Sequence, residues 1–427
     1  MTPGFAKVRA SGKVTEYLLR KNGLRILHKE DRAAPVALVM VLYHIGSRNE
    51  AVGHTGSTHI LEHLLFKDSK HFNKKNGKNP TGYLEKLGAY TNATTWFDRT
   101  NYYELIAKEH LAEALAFEAD RMRGALFSDL DLASEMTVVR NEYERSRNDP
   151  IELLDEAIWA SAFQAHPYHH PTIGWKDDIE RSSARKLREF YDRFYHPNNA
   201  TLIVFGDISA ADLLPQVART FGKVPPSPHP IEEPHTRELP QEGRRFVEVV
   251  SEHDLSLVGI AHKVPEALHG DTPALQVFGK IVAGGVSSRL QERLVDTGRA
   301  VSLTLFDHPL RDPGLFILYA HLTPDTRHDE AAAIIRREYA DLALKGPSAA
   351  EVSRAREQLL AEIAYARDGV YKEGQLVGSA VAVGDWSFAY RFPALVKKVT
   401  PRDVKRVART YCTEQAETTG YVLKKTA

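Results

Sequence analysis

His59-Ile60-Leu61-Glu62-His63, preceded by Gly53-His54-Thr55-Gly56-Ser57-Thr58 and followed by Leu64-Leu65-Phe66-Lys67, is the stretch whose reading decides the fold. On a helix, positions 59, 62 and 63 fall within about a 100° arc, so two imidazoles and a carboxylate point the same way. Leu61, Leu64 and Leu65 anchor the other side of that helix in a core, and Ser57 or Thr58 is placed to cap its first turn. The polar face suits zinc. A chain of this composition shows H-x-x-E-H by chance with a probability of about 0.05–0.1. A third ligand is therefore required, because zinc in a hydrolase takes three protein groups and leaves the fourth position to water.

The stretch from Asp129 to Tyr143 supplies the candidate, in a helical pattern that runs until Asn148-Asp149-Pro150 stops it. Glu135, Val138, Val139 and Glu142 stand at i, i+3, i+4 and i+7, so two acids share one apolar stripe. Buried acids without a cation or donors are costly, and a metal resolves that cost. The plain alternative is an acidic helix with two solvated glutamates.

His59-x-x-Glu62-His63, with Glu142 downstream and Glu135 seven residues before it, resembles the inverted-motif zinc peptidases: pitrilysin, insulin-degrading enzyme and the mitochondrial processing peptidase. Gly88-Ala89-Tyr90-Thr91-Asn92-Ala93-Thr94-Thr95, then Asp98-Arg99-Thr100-Asn101-Tyr102-Tyr103, and later His166-Pro167-Tyr168-His169-His170-Pro171-Thr172-Ile173-Gly174 resemble family blocks in the same order. The match spans nearly the whole chain. In that reading His59, His63 and Glu142 hold Zn2+, leaving a position open for water. Glu62 acts as the base that takes a proton from the activated water and passes it to the leaving amine. Glu135 orients a ligand histidine through its other ring nitrogen. The resemblance further implies that an extended peptide adds to the strand carrying Asn92, Ala93 and Thr94. An ordinary hairpin, with Asn92 as a turn residue, is the plain alternative.

Length and composition are those of an ordinary soluble globular protein, consistent with the resemblance. The chain has 427 residues, too many for one ordinary domain, with 43% hydrophobic and 26% charged residues. Lys+Arg and Asp+Glu are equal at 56 each, so no global field draws nucleic acid or an anionic membrane, and neither partner is expected. The lone Cys412 excludes an intramolecular disulfide and a cysteine-based zinc site. The longest apolar run, Pro35 to Tyr43, is too short to span a bilayer, and Met1 to Lys13 has no signal-peptide core. The expected location is cytoplasmic, with a periplasmic one open if a leader has been removed. His166, His169 and His170 read as a structural loop, since Pro167 and Pro171 break any ligand spacing.

In chain order, strands are expected at 24–27, 36–44, 89–94, 101–106 and 200–205, and helices at 109–124, 130–147, 152–165, 184–195 and 210–221. The Pro-rich stretch from Lys223 to Glu242 reads as a linker. Beyond it the order returns: strands near 245–250 and 256–262, helices near 271–283 and 285–297, a hairpin from Val301 to Leu322, helices to about 411 and a last strand at 418–423. Leu187, Phe190, Tyr191 and Phe194 form a helical stripe ahead of Thr201, and Val404, Val407, Ala408 and Tyr411 do the same ahead of Thr418. The pattern suggests a duplication. The offset of 217 residues between the two stripes carries His59, Glu62, His63 and Glu142 onto Gln276, Gly279, Lys280 and Leu359, which make no zinc site. The expectation is an α+β chain of two homologous domains, each a mainly antiparallel sheet with helices on one face. They comprise residues 1–222, a linker 223–242, and 243–427. The resemblance adds the metallohydrolase fold of the mitochondrial processing peptidase.

One departure matters. Family members that complete the site within a chain carry an Arg and a Tyr after a Ser-Ser-Arg-Leu-like segment. Here Ser287-Ser288-Arg289-Leu290 leads into Leu294-Val295-Asp296-Thr297-Gly298-Arg299-Ala300-Val301, with Val295 and Val301 in those places. Arg293 or Arg299 could replace the Arg, but nothing replaces the phenol. That pair holds the substrate carbonyl and the oxyanion, which is worth a few kcal/mol in analogous sites. Either a second, non-zinc homologous subunit supplies Arg and Tyr, as in two-subunit members of the family, or the chain works poorly alone; the expected reading is the zinc endopeptidase subunit of such a heterodimer. The alternatives are a non-proteolytic zinc hydrolase or lyase of a small molecule, which the duplicated length disfavours, and a scaffold subunit, which the intact acids disfavour.

Overall fold

Apolar side chains fill Val36–Tyr43 almost from end to end, and that strand lies buried inside a seven-stranded sheet. The computed structural model describes residues 2–252 and 255–425. The first sheet holds β1 (Phe5–Ser11), β2 (Val14–Leu19), β3 (Leu24–Glu30), β4 (Val36–Tyr43), β5 (Tyr90–Thr95), β6 (Thr100–Ala107) and β7 (Ala200–Gly206), in the order β1-β2-β3-β7-β4-β6-β5. Its neighbours are antiparallel except β3 and β7. The second sheet holds β8 (Arg245–Ser251), β9 (Ser256–Val264), β10 (Ala300–Phe306), β11 (Gly314–Leu322) and β12 (Glu417–Lys424), in the order β10-β11-β9-β12-β8. Only β8 and β12 run parallel in it.

The helices are α1 (Ser57–Leu64), α2 (Pro80–Lys86), α3 (Leu111–Gly124), α4 (Asp129–Arg147), α5 (Pro150–Ala162), α6 (Lys176–Glu180), α7 (Ala184–Phe194), α8 (Ala210–Arg219), α9 (Thr272–Ala283), α10 (His328–Leu344), α11 (Ala349–Tyr365), α12 (Gly369–Ala382), α13 (Phe388–Val396) and α14 (Pro401–Tyr411). None is long and apolar enough to cross a membrane. The α+β class and the mainly antiparallel sheets are as expected. Sequence reading missed β1 and β2, because β1 is a sheet edge with most side chains exposed and lacks an apolar alternation. The helix expected near 285–297 is reduced to a five-residue π-helical turn, Gln291–Val295. Gly285 and Gly298, both at positive φ, bracket that segment.

One face of the first sheet carries Val39, Val41 and Tyr43 against Ile60, Leu61, Leu115, Val139 and Leu187, drawn from α1, α3, α4 and α7. The opposite face carries Leu38, Met40 and Leu42 against Val377 and Val381 of α12. The duplication is visible in matching elements: α7 and α14 start and end 217 residues apart, as do the starts of β7 and β12.

The chain divides into two compact units, and neither is continuous in sequence. One is Met1–Tyr143, Pro171–His235 and Ala366–Tyr390; the other is Glu144–His170, Thr236–Tyr365 and Arg391–Ala427. The boundaries 1–222 and 243–427 are corrected accordingly, although residues 224–244 contain no helix or strand. The reason is an exchange of helices: α5 packs on β8, β9 and β12, whereas α12 packs on β4 and β7. Glycines make the room. A Cβ at Gly420 or Gly259 would lie 2.6 Å from Leu154 or Ile158 of α5 respectively, and one at Gly374 of α12 would collide with Leu38. Overpacking of this kind costs about 1–3 kcal/mol. Gly374→Leu is expected to lower stability by at least that much, read as a lower urea midpoint; an unchanged midpoint would mean that α12 is not seated this closely on β4.

The second unit also carries an acid-sensitive group. His262 of β9 is buried, with Glu417 Oε2 4.0 Å from its Nε2, and burial pushes its imidazole down to about 4. The unfolded chain titrates near the ordinary value of about 6.5, so it binds the extra proton between pH 6.5 and 4. Stability present above pH 6.5 is therefore lost as pH falls through that window, by about 2 kcal/mol at pH 5. Denaturation at pH 7 and pH 5 checks this: the loss should shrink by about that amount in His262→Gln.

Candidate metal centre

Helix α1 begins where Gly56 takes φ +83°. Its N-cap makes no side-chain bond, and Ser57 and Thr58, expected as caps, lie inside the helix. The acceptor is Glu50, which sequence reading missed. Its Oε2 accepts from the Gly56 N–H at 2.8 Å and its Oε1 from the Thr58 N–H at 2.7 Å and from the Thr58 hydroxyl. Full burial pushes the Glu50 carboxyl up to about 8, against the pull of those donors. No spacing rule finds such a residue, because it reaches the helix start across a loop. Ile60, Leu61 and Leu64 then fill the core side of α1, leaving His59, Glu62 and His63 on the other.

Helix α4 brings the third group. The buried positions on it are Leu132, Glu135, Met136 and Val139, whereas Val138 is 41% exposed, so the expected stripe is corrected by one step around the helix. Glu142 lies farther along, half-buried, and its Oε2 stands 3.4 Å from His59 Nε2 and 3.5 Å from His63 Nε2. Among the described residues, His59, His63 and Glu142 are the one group of three His, Cys, Asp or Glu side chains that converges closely enough to hold an ion. Tetrahedral ligands about 2.0–2.1 Å from zinc stand roughly 3.3 Å from one another, so these separations fit the ion. Burial pushes the His59 imidazole down to about 3, which keeps it in the neutral form that a ligand needs.

His63 Nδ1 lies 3.2 Å from Glu135 Oε2, and Lys67 Nζ lies 2.5 Å from Glu135 Oε1. With Glu135 accepting a hydrogen bond from the Nδ1–H, His63 Nε2 is left facing Glu142, the arrangement in which a carboxylate orients a histidine. Glu62 receives the Thr95 hydroxyl on its Oε2 at 2.5 Å, and burial raises its carboxyl above the usual range. Asn92, Ala93 and Thr94 lie within β5, the terminal strand of the sheet, so Asn92 is not a turn residue. Ala93 faces the α1 core, Asn92 accepts its neighbour's N–H, and Thr94 is held by Arg99. Thr95 and Arg99 went unassigned in the sequence; the alternation along β5 was the one available signal for Thr95. The histidines around 166–170 make structural contacts: His166 Nε2 meets Asp312, between β10 and β11, and His169 Nδ1 meets the His166 carbonyl.

Two family models match the chain: insulinase, peptidase family M16, over residues 25–176, and the peptidase M16 inactive domain over residues 182–359. A zinc protease of Helicobacter pylori, PqqE, is 32% identical over 318 residues, covering 73% of this chain and 71% of that one. The chain belongs to peptidase family M16. Within M16, a probable mitochondrial-processing peptidase subunit beta of Arabidopsis thaliana is 26% identical, covering 91% of this chain and 75% of that one. The crystal structure of a protease from Helicobacter pylori superposes with a TM-score of 0.90 at 26% identity, over 99% of this M16 chain and 100% of that one. The inactive-domain match falls mostly on the half in which no zinc set recurs.

Proposed function

We propose that this M16 chain is a zinc-dependent endopeptidase that hydrolyses peptides or unfolded segments with a metal-activated water. We further propose that it works as the zinc-binding subunit of a heterodimer. The convergence of His59, His63 and Glu142 beside Glu62 carries the reading. His59, His63 and Glu142 would hold zinc, which when bound would supply a Lewis acid for water and scissile carbonyl. Glu62 takes a proton from the attacking water and passes it to the leaving amine. Glu135, steadied by Lys67, keeps the His63 ring turned to present Nε2. The outer edge of β5, with which no strand pairs among the described residues, offers main-chain groups to an extended peptide through Asn92, Ala93 and Thr94.

A deficit in this chain points to a partner. Arg293 and Arg299, the available stand-ins for the missing Arg, already pair with Glu338 at 3.3 Å and Glu330 at 2.8 Å. A fluorogenic peptide assay tests both parts. Cleavage should vanish with EDTA, return with zinc, and rise when a homologous non-zinc chain is added. Cleavage that survives metal removal would defeat the zinc reading, and full activity of the chain alone would defeat the partner.

A further inference from the structure

A carboxylate on a glutamate side chain turns easily about its last torsion, which is broad and two-fold. Something must hold it if one oxygen is to face the water. Beyond the groups already assigned, Thr95 is the side chain that bonds Glu62, with its hydroxyl donating to Oε2 at 2.5 Å. This contact is a consequence of strand register. Ala93 and its partner Tyr102 pack with Ile60 and Leu61 of α1, whereas Tyr103, the partner of Asn92, packs on the other face with Leu38 and Met40. Thr95 shares the parity of Ala93 and so faces α1; a slip of one residue would turn it away.

The end of the strand is pinned as well. Arg99 Nη1 donates to the Thr94 hydroxyl at 2.5 Å and to the Thr94 carbonyl at 3.3 Å, and also bonds Asn101 Oδ1. The Trp96 N–H meets the Arg99 carbonyl at 2.9 Å, closing the turn directly after Thr95. Thr95 pairs with Thr100, whose hydroxyl donates to the Ile45 carbonyl at 3.0 Å. The Thr95 oxygen therefore sits on a fixed support.

We infer that Thr95 is a positioning residue for the base: its hydroxyl occupies Glu62 Oε2 and leaves Oε1 as the oxygen that takes the proton from the attacking water. The inference rests on the peptidase reading and adds the atom that does the work. It also makes one strand both the seat of the peptide and the support of the base.

Thr95→Val keeps the branch and the volume but removes the donor, and Thr95→Ser keeps the donor. With the full chain and its partner, Thr95→Val should lose at least tenfold in kcat with KM within about twofold of wild type and zinc content unchanged. Thr95→Ser should stay within about threefold of wild type. In a crystal structure of Thr95→Val the Glu62 carboxylate should no longer keep the orientation seen here. A wild-type kcat in Thr95→Val, an equal loss in both variants, a change carried by KM, or an unmoved carboxylate each overturns the inference. A wild type that cleaves no peptide defeats the peptidase reading and this inference with it, whereas an active wild type with a fully active Thr95→Val defeats this inference alone.

Discussion

Glu62→Gln is expected to lower kcat/KM for peptide cleavage by about 10²–10⁴-fold, the usual worth of a positioned general base. That range is roughly 3–5 kcal/mol of barrier. The substitution is nearly isosteric. Gln keeps an oxygen that can accept from the Thr95 hydroxyl, so the packing of α1 and the approach of β5 are preserved. It loses only the capacity to take a proton. Zinc content should therefore equal that of wild type, since His59, His63 and Glu142 are untouched. Measuring metal and turnover on the same preparation separates the roles. Zinc retained with activity lost supports Glu62 as the base; full activity removes the assignment.

Glu142→Ala should act on the metal instead. Loss of a group that merely orients a ligand already costs about 10–100-fold in metal affinity, so removing a ligand should exceed 100-fold. The charge argument points the same way: as ligands His59 and His63 would be neutral, and among the described residues Glu142 is the carboxylate that stands within 3.5 Å of both Nε2 atoms. Competition with a chelator measures the affinity. Wild-type affinity in Glu142→Ala would move the third ligand elsewhere. The fold should survive, because Glu142 is only half-buried and is not among the buried residues of α4.

The residues changed in these two variants are legible in the sequence for a simple reason. His59, Glu62 and His63 are set side by side by helical geometry alone, and Glu135 and Glu142 share a face for the same reason. A spacing argument fails where partners meet across loops or sheet register. Glu50 caps α1 from a preceding loop, Thr95 reaches Glu62 from the end of a strand, and Lys67 meets Glu135 only because α1 and α4 are neighbours. Val138 shows the converse limit: the expected stripe is displaced by one step because the neighbours of α4, not its own period, decide which side is covered.

By itself the sequence determined the α+β class, the repeat of elements along the chain and the three side chains, His59, His63 and Glu142, that converge as the candidate metal group, since each follows from local period or from residue identity. Tertiary structure decided the rest. It placed α5 with the second sheet and α12 with the first, a choice written in glycines whose meaning is the space they leave for a helix distant in the chain. It also chose which polar groups lie against His63 and Glu62. Those choices depend on contacts between segments that the sequence keeps far apart.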